Sequence, residues 1–132
     1  MQTEELRQRF LSYLAVSNQH DVEAMRKFYS PTIRINDNPR TPMEVTNSFT
    51  GLWQAFPDWT WQARHITIEG DYIAVQFSQS GTHTGIFKGI EPTGRRVVAA
   101  EFSLYLFDTQ NGVFTDIWDL NDSAAILAQI NA

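Results

Sequence analysis

Apolar positions recur with two different periods along the 132-residue chain, about 3.6 in the first half and 2 in the second. Leu6, Phe10, Tyr13 and Leu14 fall at i, i+4, i+7 and i+8, one stripe of a helix. Thr3 is placed to cap it, and Glu4 and Glu5 sit where the helix dipole favours negative charge. Asp21 is a good N-cap for a second helix, with Val22, Met25, Phe28 and Tyr29 on its apolar face and Ser30-Pro31 at its end. Residues 32–36 alternate like a short strand. Thr41-Pro42-Met43-Glu44 then combines an N-cap Thr, a Pro at the first helical position and a Glu that reaches back, which is a capping box. Val45, Phe49, Leu52, Trp53 and Phe56 carry that third helix to Pro57.

From there the alternation predicts strands over 60–68, 72–82, 96–107 and 113–120. Glu69-Gly70-Asp71 and Gln110-Asn111-Gly112 supply hairpin turns. A last helix over 123–130 follows Asp122. Helices followed by meandering strands indicate an α+β class and not alternating α/β. We expect a single domain, 1–132, in which a cone-shaped curved antiparallel sheet packs against the N-terminal helices. A pocket would lie between the two layers, with Trp53, Phe56 and Trp59 at its mouth or wall.

Composition narrows the function. The chain has no cysteine, so disulfides and thiolate chemistry are excluded, which suits a reducing cytoplasm. A net charge of −5 disfavours a nucleic-acid partner, and Arg26-Lys27 and Arg95-Arg96 are the only adjacent basic pairs. The N-terminus is charged and lacks an apolar signal core, and no apolar run approaches the roughly 18 residues of a membrane span. Aromatics make up 13% of the chain, nine Phe, four Tyr and four Trp, a supply that fits a large hydrophobic interior or cavity.

Two segments resemble the SnoaL-like polyketide cyclases. One runs Gly81-Thr82-His83-Thr84-Gly85-Ile86-Phe87-Lys88-Gly89 and on through Pro92 to Arg96. The other runs from Gly112 through Ile117-Trp118-Asp119-Leu120-Asn121-Asp122 into Ile126–Ile130. Phe56-Pro57-Asp58-Trp59 and Asn18-Gln19-His20-Asp21 are similar to that family as well. The resemblance implies the nuclear-transport-factor-two-like (cystatin-like) α+β roll. It also implies ring closure or related acid–base chemistry on a small hydrophobic carbonyl compound, without cofactor or metal, in a homodimer or homotetramer. An aspartate at the end of the last long strand serves the family as general acid/base. Spacing from Gly112 and Gln129 puts that position at Asp119. The family also carries a histidine on the preceding strand; here Ser103 or Leu104 falls there. A non-catalytic ligand-binding or assembly domain is the alternative, and an epoxide hydrolase-like reaction a third, for which no matching arginine can be placed.

Proton abstraction beside a carbonyl needs a carboxylate lifted toward neutrality by an apolar surround, and Asp119 lies between Trp118 and Leu120. Its bland alternative is a solvated strand-end aspartate. Asp122 is explained as an N-cap, and Asp58 as a turn former. Glu101 shares a strand face with Val97 and Ala99. Val98, Ala100, Phe102, Leu104 and Leu106 make the more apolar face, so Glu101 is expected to be exposed or at a subunit contact, with a pocket role as the lesser alternative. His20, His65 and His83 have no metal-ligand spacing, and His83 either faces the cavity or is half-exposed and structural. Trp53, Phe56, Trp59, Tyr105 and Trp118 are core by default and line a ligand site if the cone is open.

Overall fold

The computed structural model describes residues 2–132; Met1 lies outside them. Helix α1 (Thr3–Asn18) forms as its stripe requires and buries Leu6, Phe10 and Tyr13. Its N-cap is Gln2, with no side-chain cap bond, so Thr3 is the first helical residue and not the cap. Helix α2 (Val22–Arg26) is capped by Asp21, whose side chain accepts from the Ala24 N–H. It is shorter than its apolar face implied: Tyr29 belongs to strand β1 (Tyr29–Ile35), which takes in residues ahead of position 32. After a turn with Asn36 and Asp37 both at positive φ comes β2 (Asn38–Pro39), too short to signal itself. Asn and Asp tolerate that left-handed geometry better than other side chains.

The capping box at Thr41 and Glu44 is present in full, and starts α3 (Pro42–Asn47). The expected single third helix breaks at Ser48–Phe49 and resumes as α4 (Thr50–Ala55). Phe49, at the break, and Trp53 of α4 stack on each other with centroids 5.3 Å apart. Strands β3 (Thr60–Glu69), β4 (Tyr72–Thr82), β5 (Arg96–Asp108) and β6 (Val113–Asn121) follow where alternation placed them, and α5 (Ser123–Ile130) starts at the N-cap Asp122.

The six strands form one sheet in the order β2-β1-β6-β5-β4-β3. The meander β3 to β6 is antiparallel as expected, but β1 pairs with β6 in parallel, so the sheet is mixed. Where β6 has ended, Gln129 of α5 replaces it at the edge of β5. Its side chain accepts from the Val98 N–H at 2.9 Å and donates to the Val98 carbonyl at 2.8 Å.

The interior lies between one face of the sheet and helices α1 to α4. Phe10 anchors it against Tyr105, 5.1 Å between centroids, and Phe77, 6.2 Å. At one end Phe56 and Trp59 pack under the end of β4 so closely that a Cβ on Gly81 would come within 2.8 Å of the Trp59 ring. Among the described residues no helix is long and apolar enough to cross a membrane.

Candidate functional site

Strand alternation sends Val97, Ala99, Glu101, Ser103, Tyr105 and Phe107 of β5 to the interior; all six are buried. The opposite residues face out, and Val98 and Phe102 are 50% and 61% exposed. The expectation for this strand was therefore inverted. Its more apolar face is the outer one, and Glu101 points inward, 8% exposed. Periodicity fixes which residues share a face. It does not say which face is inside when the inner one carries polar groups for a cavity.

That cavity measures about 100 Å³ and lies between the inner sheet face and helices α1, α2 and α3. A single water needs roughly 10–15 Å³ by the same measure, so there is room for a small organic guest. Phe10, Tyr13, Phe49, Trp61 and Phe77 supply aromatic walls, with Met25, Val45 and Ile117 between them. The polar groups are few: Glu101, Ser103, Tyr105 and Asp119 from the sheet, Ser17 and Tyr13 from α1, and Ser48. No lysine, arginine or histidine lines it among the described residues.

Sheet register brings the polar groups together. Ser103 of β5 lies opposite Asp119 of β6, Tyr105 opposite Ile117, and Glu101 opposite Asn121. Ser103 Oγ donates to Glu101 Oε2 at 2.7 Å. Asp119 is held by the β1–β2 turn: Asn36 Nδ2 donates to Asp119 Oδ1 at 2.7 Å, and the Asp119 N–H donates to Asn36 Oδ1 at 3.0 Å. Burial pushes the Glu101 carboxyl above its ordinary value. The Ser103 hydroxyl and Trp61 indole offset part of that, and the nearby Asp119 charge adds to it. Burial also pushes the Tyr13 phenol up to about 12, and Tyr105 well above its usual range, so both are neutral donors near pH 7. The Tyr13 hydroxyl shares a 2.7 Å hydrogen bond with that of Tyr29.

Of the residues singled out from sequence, Asp119, Ser103 and Tyr105 line this cavity. The others do not. Trp53 stacks on His20 with centroids 4.3 Å apart, outside the lining. Phe56 and Trp59 are at most 1% exposed and fill the core. His83 is fully buried, its Nδ1 accepting from the Thr93 N–H at 3.2 Å. Leu104 is on the outer face of β5, opposite Trp118, whose Nε1 donates to Asp37. Asp122 accepts from the Ala125 N–H as the cap of α5. Trp61 and Asn36 escaped notice, Tyr13 was read only as part of the α1 stripe, and Glu101 was noticed but assigned to the wrong face. The signal for Glu101 was its i, i+2, i+4 alternation with Ser103 and Tyr105, three polar-tipped residues on one strand face. Asn36 left none, because it meets Asp119 across 83 residues of sequence.

The model of a family described as SnoaL-like polyketide cyclase matches residues 6–130. Among solved structures, AclR from Streptomyces galilaeus superimposes with a TM-score of 0.87 at 26% identity, covering 98% of each chain. IdmH from Streptomyces antibioticus gives 0.86 at 22%, covering 96% of this chain and 99% of its own. A SnoaL-like polyketide cyclase from Agrobacterium tumefaciens gives 0.82 at 23%, covering 98% and 99%. They share the α+β fold of this chain. No curated protein matches it in sequence.

Proposed function

Because the chain belongs to the SnoaL-like polyketide cyclase family, we propose that it is a cofactor-independent acid–base enzyme of the cyclase or isomerase type. Its substrate in this reading is a small hydrophobic carbonyl compound held in the aromatic-walled cavity, and Asp119 is its base. The observation that carries the reading is that Asp119 lines a cavity walled mainly by aromatic and aliphatic side chains, with its carboxyl group held by Asn36. A base must be fixed within hydrogen-bond reach of the proton it removes, and a water-poor surround keeps that base reactive.

The chemistry is proton transfer. The base takes a proton from the carbon next to a carbonyl group, leaving an enolate. The enolate carbon either regains a proton elsewhere or attacks a second carbonyl within the same molecule and closes a ring. Deuterium exchange into a panel of β-keto esters, followed by proton NMR, tests this. Asp119→Asn should slow the exchange by roughly 100- to 10,000-fold, the usual worth of a positioned base. Undiminished exchange removes Asp119 from the mechanism. The lack of histidine in the lining favours a second reading, a binding domain without turnover. Quenching of tryptophan fluorescence by the same esters, with no exchange in the wild type, would select it.

Self-association belongs to the same proposal. Phe102 and Leu120, 61% and 78% exposed, are neighbours on the outer sheet face and support pairing with a second copy there.

A further inference from the structure

Two carboxyl groups share the cavity, and among the described residues no cation lines it. Two negative charges in an apolar surround without a counter-charge are costly, so one carboxyl holds a proton or the cavity holds a cationic guest. The two groups are held differently. Asp119 is partly exposed and takes an amide N–H on its Oδ1. Glu101 is 8% exposed and takes the Ser103 hydroxyl on Oε2, with the Trp61 indole as its other polar neighbour. Burial then pushes Glu101 up, and the Asp119 charge pushes it further. Tyr13 on α1 and Tyr105 on β5 are the other titratable groups facing the cavity, and burial keeps both as neutral phenols.

Resting on the function proposed above, we propose that Glu101 is the second catalytic group, donating its carboxylic O–H to the guest's carbonyl oxygen while Asp119 takes the proton from the adjacent carbon. The register supports this division. Asp119 lies opposite Ser103, and Glu101 is two residues along the same face of β5. Diagonal neighbours of this kind sit about 7–8 Å apart in a sheet, room for a carbonyl group and its α-carbon between them. With Ser103 donating to Oε2, the acid proton belongs on Oε1. In the forward step the C–H bond breaks and its proton passes to an Asp119 oxygen. The electron pair forms the C=C bond, and the carbonyl π pair moves onto oxygen, where the Glu101 O–H meets the growing charge. Reversal at the same or a conjugated carbon restores both groups. Glu101 thereby fills the role of an oxyanion donor in a pocket that no histidine lines among the described residues.

The test uses 4-nitrophenol, whose anion mimics an enolate oxygen and whose absorbance reports its ionisation. The wild type should bind the phenolate, and binding should weaken as pH rises and Glu101 loses its proton. Glu101→Gln should weaken phenolate binding about tenfold or more, the worth of a hydrogen bond to a charged oxygen. Asp119→Asn should strengthen it by removing the neighbouring negative charge. A merely structural role for Glu101 gives no such opposition of sign. Thermal melts show that each variant is folded, and Glu101→Asp should retain part of the binding. In the β-keto ester exchange assay, Glu101→Gln should cost roughly 100- to 1,000-fold. Loss in Asp119→Asn with no loss in Glu101→Gln overturns the role of Glu101 and leaves that of Asp119 standing. Exchange that survives in Asp119→Asn removes the reading on which the proposal rests. Exclusion of the phenolate, or preferential binding of benzylammonium abolished by Glu101→Gln, shows that Glu101 is charged and overturns it as well.

Discussion

Glu101 and Asp116 are both under a tenth exposed, on neighbouring strands of one sheet, yet their surroundings push their titrations in opposite directions. Glu101 faces the cavity, where burial raises it and, among the described residues, no cation answers it. Asp116 pairs in register with Leu106 on the outer face, because an irregularity in β6 switches the alternation between Phe114 and Asp116. There Arg34 of β1 grips it with two hydrogen bonds, Nε to Oδ2 at 2.7 Å and Nη2 to Oδ1 at 2.9 Å. The guanidinium bonds hold Asp116 below its ordinary value. Burial alone therefore does not decide the charge of a carboxyl group; the nearest cation does. The outer carboxyl ties β1 to β6 and stabilises the sheet. The inner one is left unanswered, as structural groups seldom are and catalytic groups often are.

The pH dependence of stability follows with opposite signs. Asp116 is depressed, so its contribution is present above its ordinary value of 3.8 and is lost as pH falls through the lower folded value. Glu101 is raised, so the native state is favoured while the group is protonated in both states. That advantage is lost as pH rises from the ordinary 4.5 through the higher folded value. Of the two charge changes Arg34→Ala should have the larger effect, because it strands an Asp116 carboxylate that is 2% exposed. Thermal melts should show a drop of several degrees at neutral pH that narrows toward zero in acid. A drop of equal size at every pH would mean that Arg34 acts by packing alone. Glu101→Gln should be smaller and opposite, a gain in melting temperature at neutral pH that disappears below the ordinary 4.5. A neutral-pH loss would show that the charged form is the better accommodated one, ending the contrast between the two faces.

The same two faces explain what the sequence disclosed. The helix starts at Asp21, Thr41 and Asp122 and the four long strands were legible, because caps and alternation are local signals. The parallel pairing of β1 with β6 was not, since a strand carries no local mark of its partner's direction. Asp119 was singled out through the family resemblance, by its spacing from Gly112 and Gln129, and it lines the cavity. Glu101 was misplaced because the rule that apolar means inside fails on a strand whose inner face lines a cavity and whose outer face is hydrophobic. The large aromatics misled for a related reason. Trp59 and Phe56 close the core near Gly81, while the cavity is walled by Phe10, Tyr13 and Trp61. Aromatic content predicts buried area, not which rings border empty space.

The smallest expected effect on folding lies on the outer face. Phe102 and Leu120 are register partners and largely exposed, so little of either side chain is withdrawn from water when one chain folds. Phe102→Ser should therefore change the stability of a dilute sample by no more than about 0.5 kcal/mol, as for other exposed positions. An inner-face counterpart such as Phe107→Ala, at a residue 1% exposed, belongs to the class that costs roughly 3–5 kcal/mol. The pair of melts measures directly how unequal the two faces are within one strand. The outer variant carries a second readout. If a second copy covers this face, stability becomes dependent on protein concentration, and sedimentation of the wild type exceeds that of a monomer. Phe102→Ser should then lower the sedimentation coefficient while leaving the dilute melt in place. A wild type that sediments as a monomer at micromolar concentration would leave this apolar face uncovered and remove self-association from the proposal.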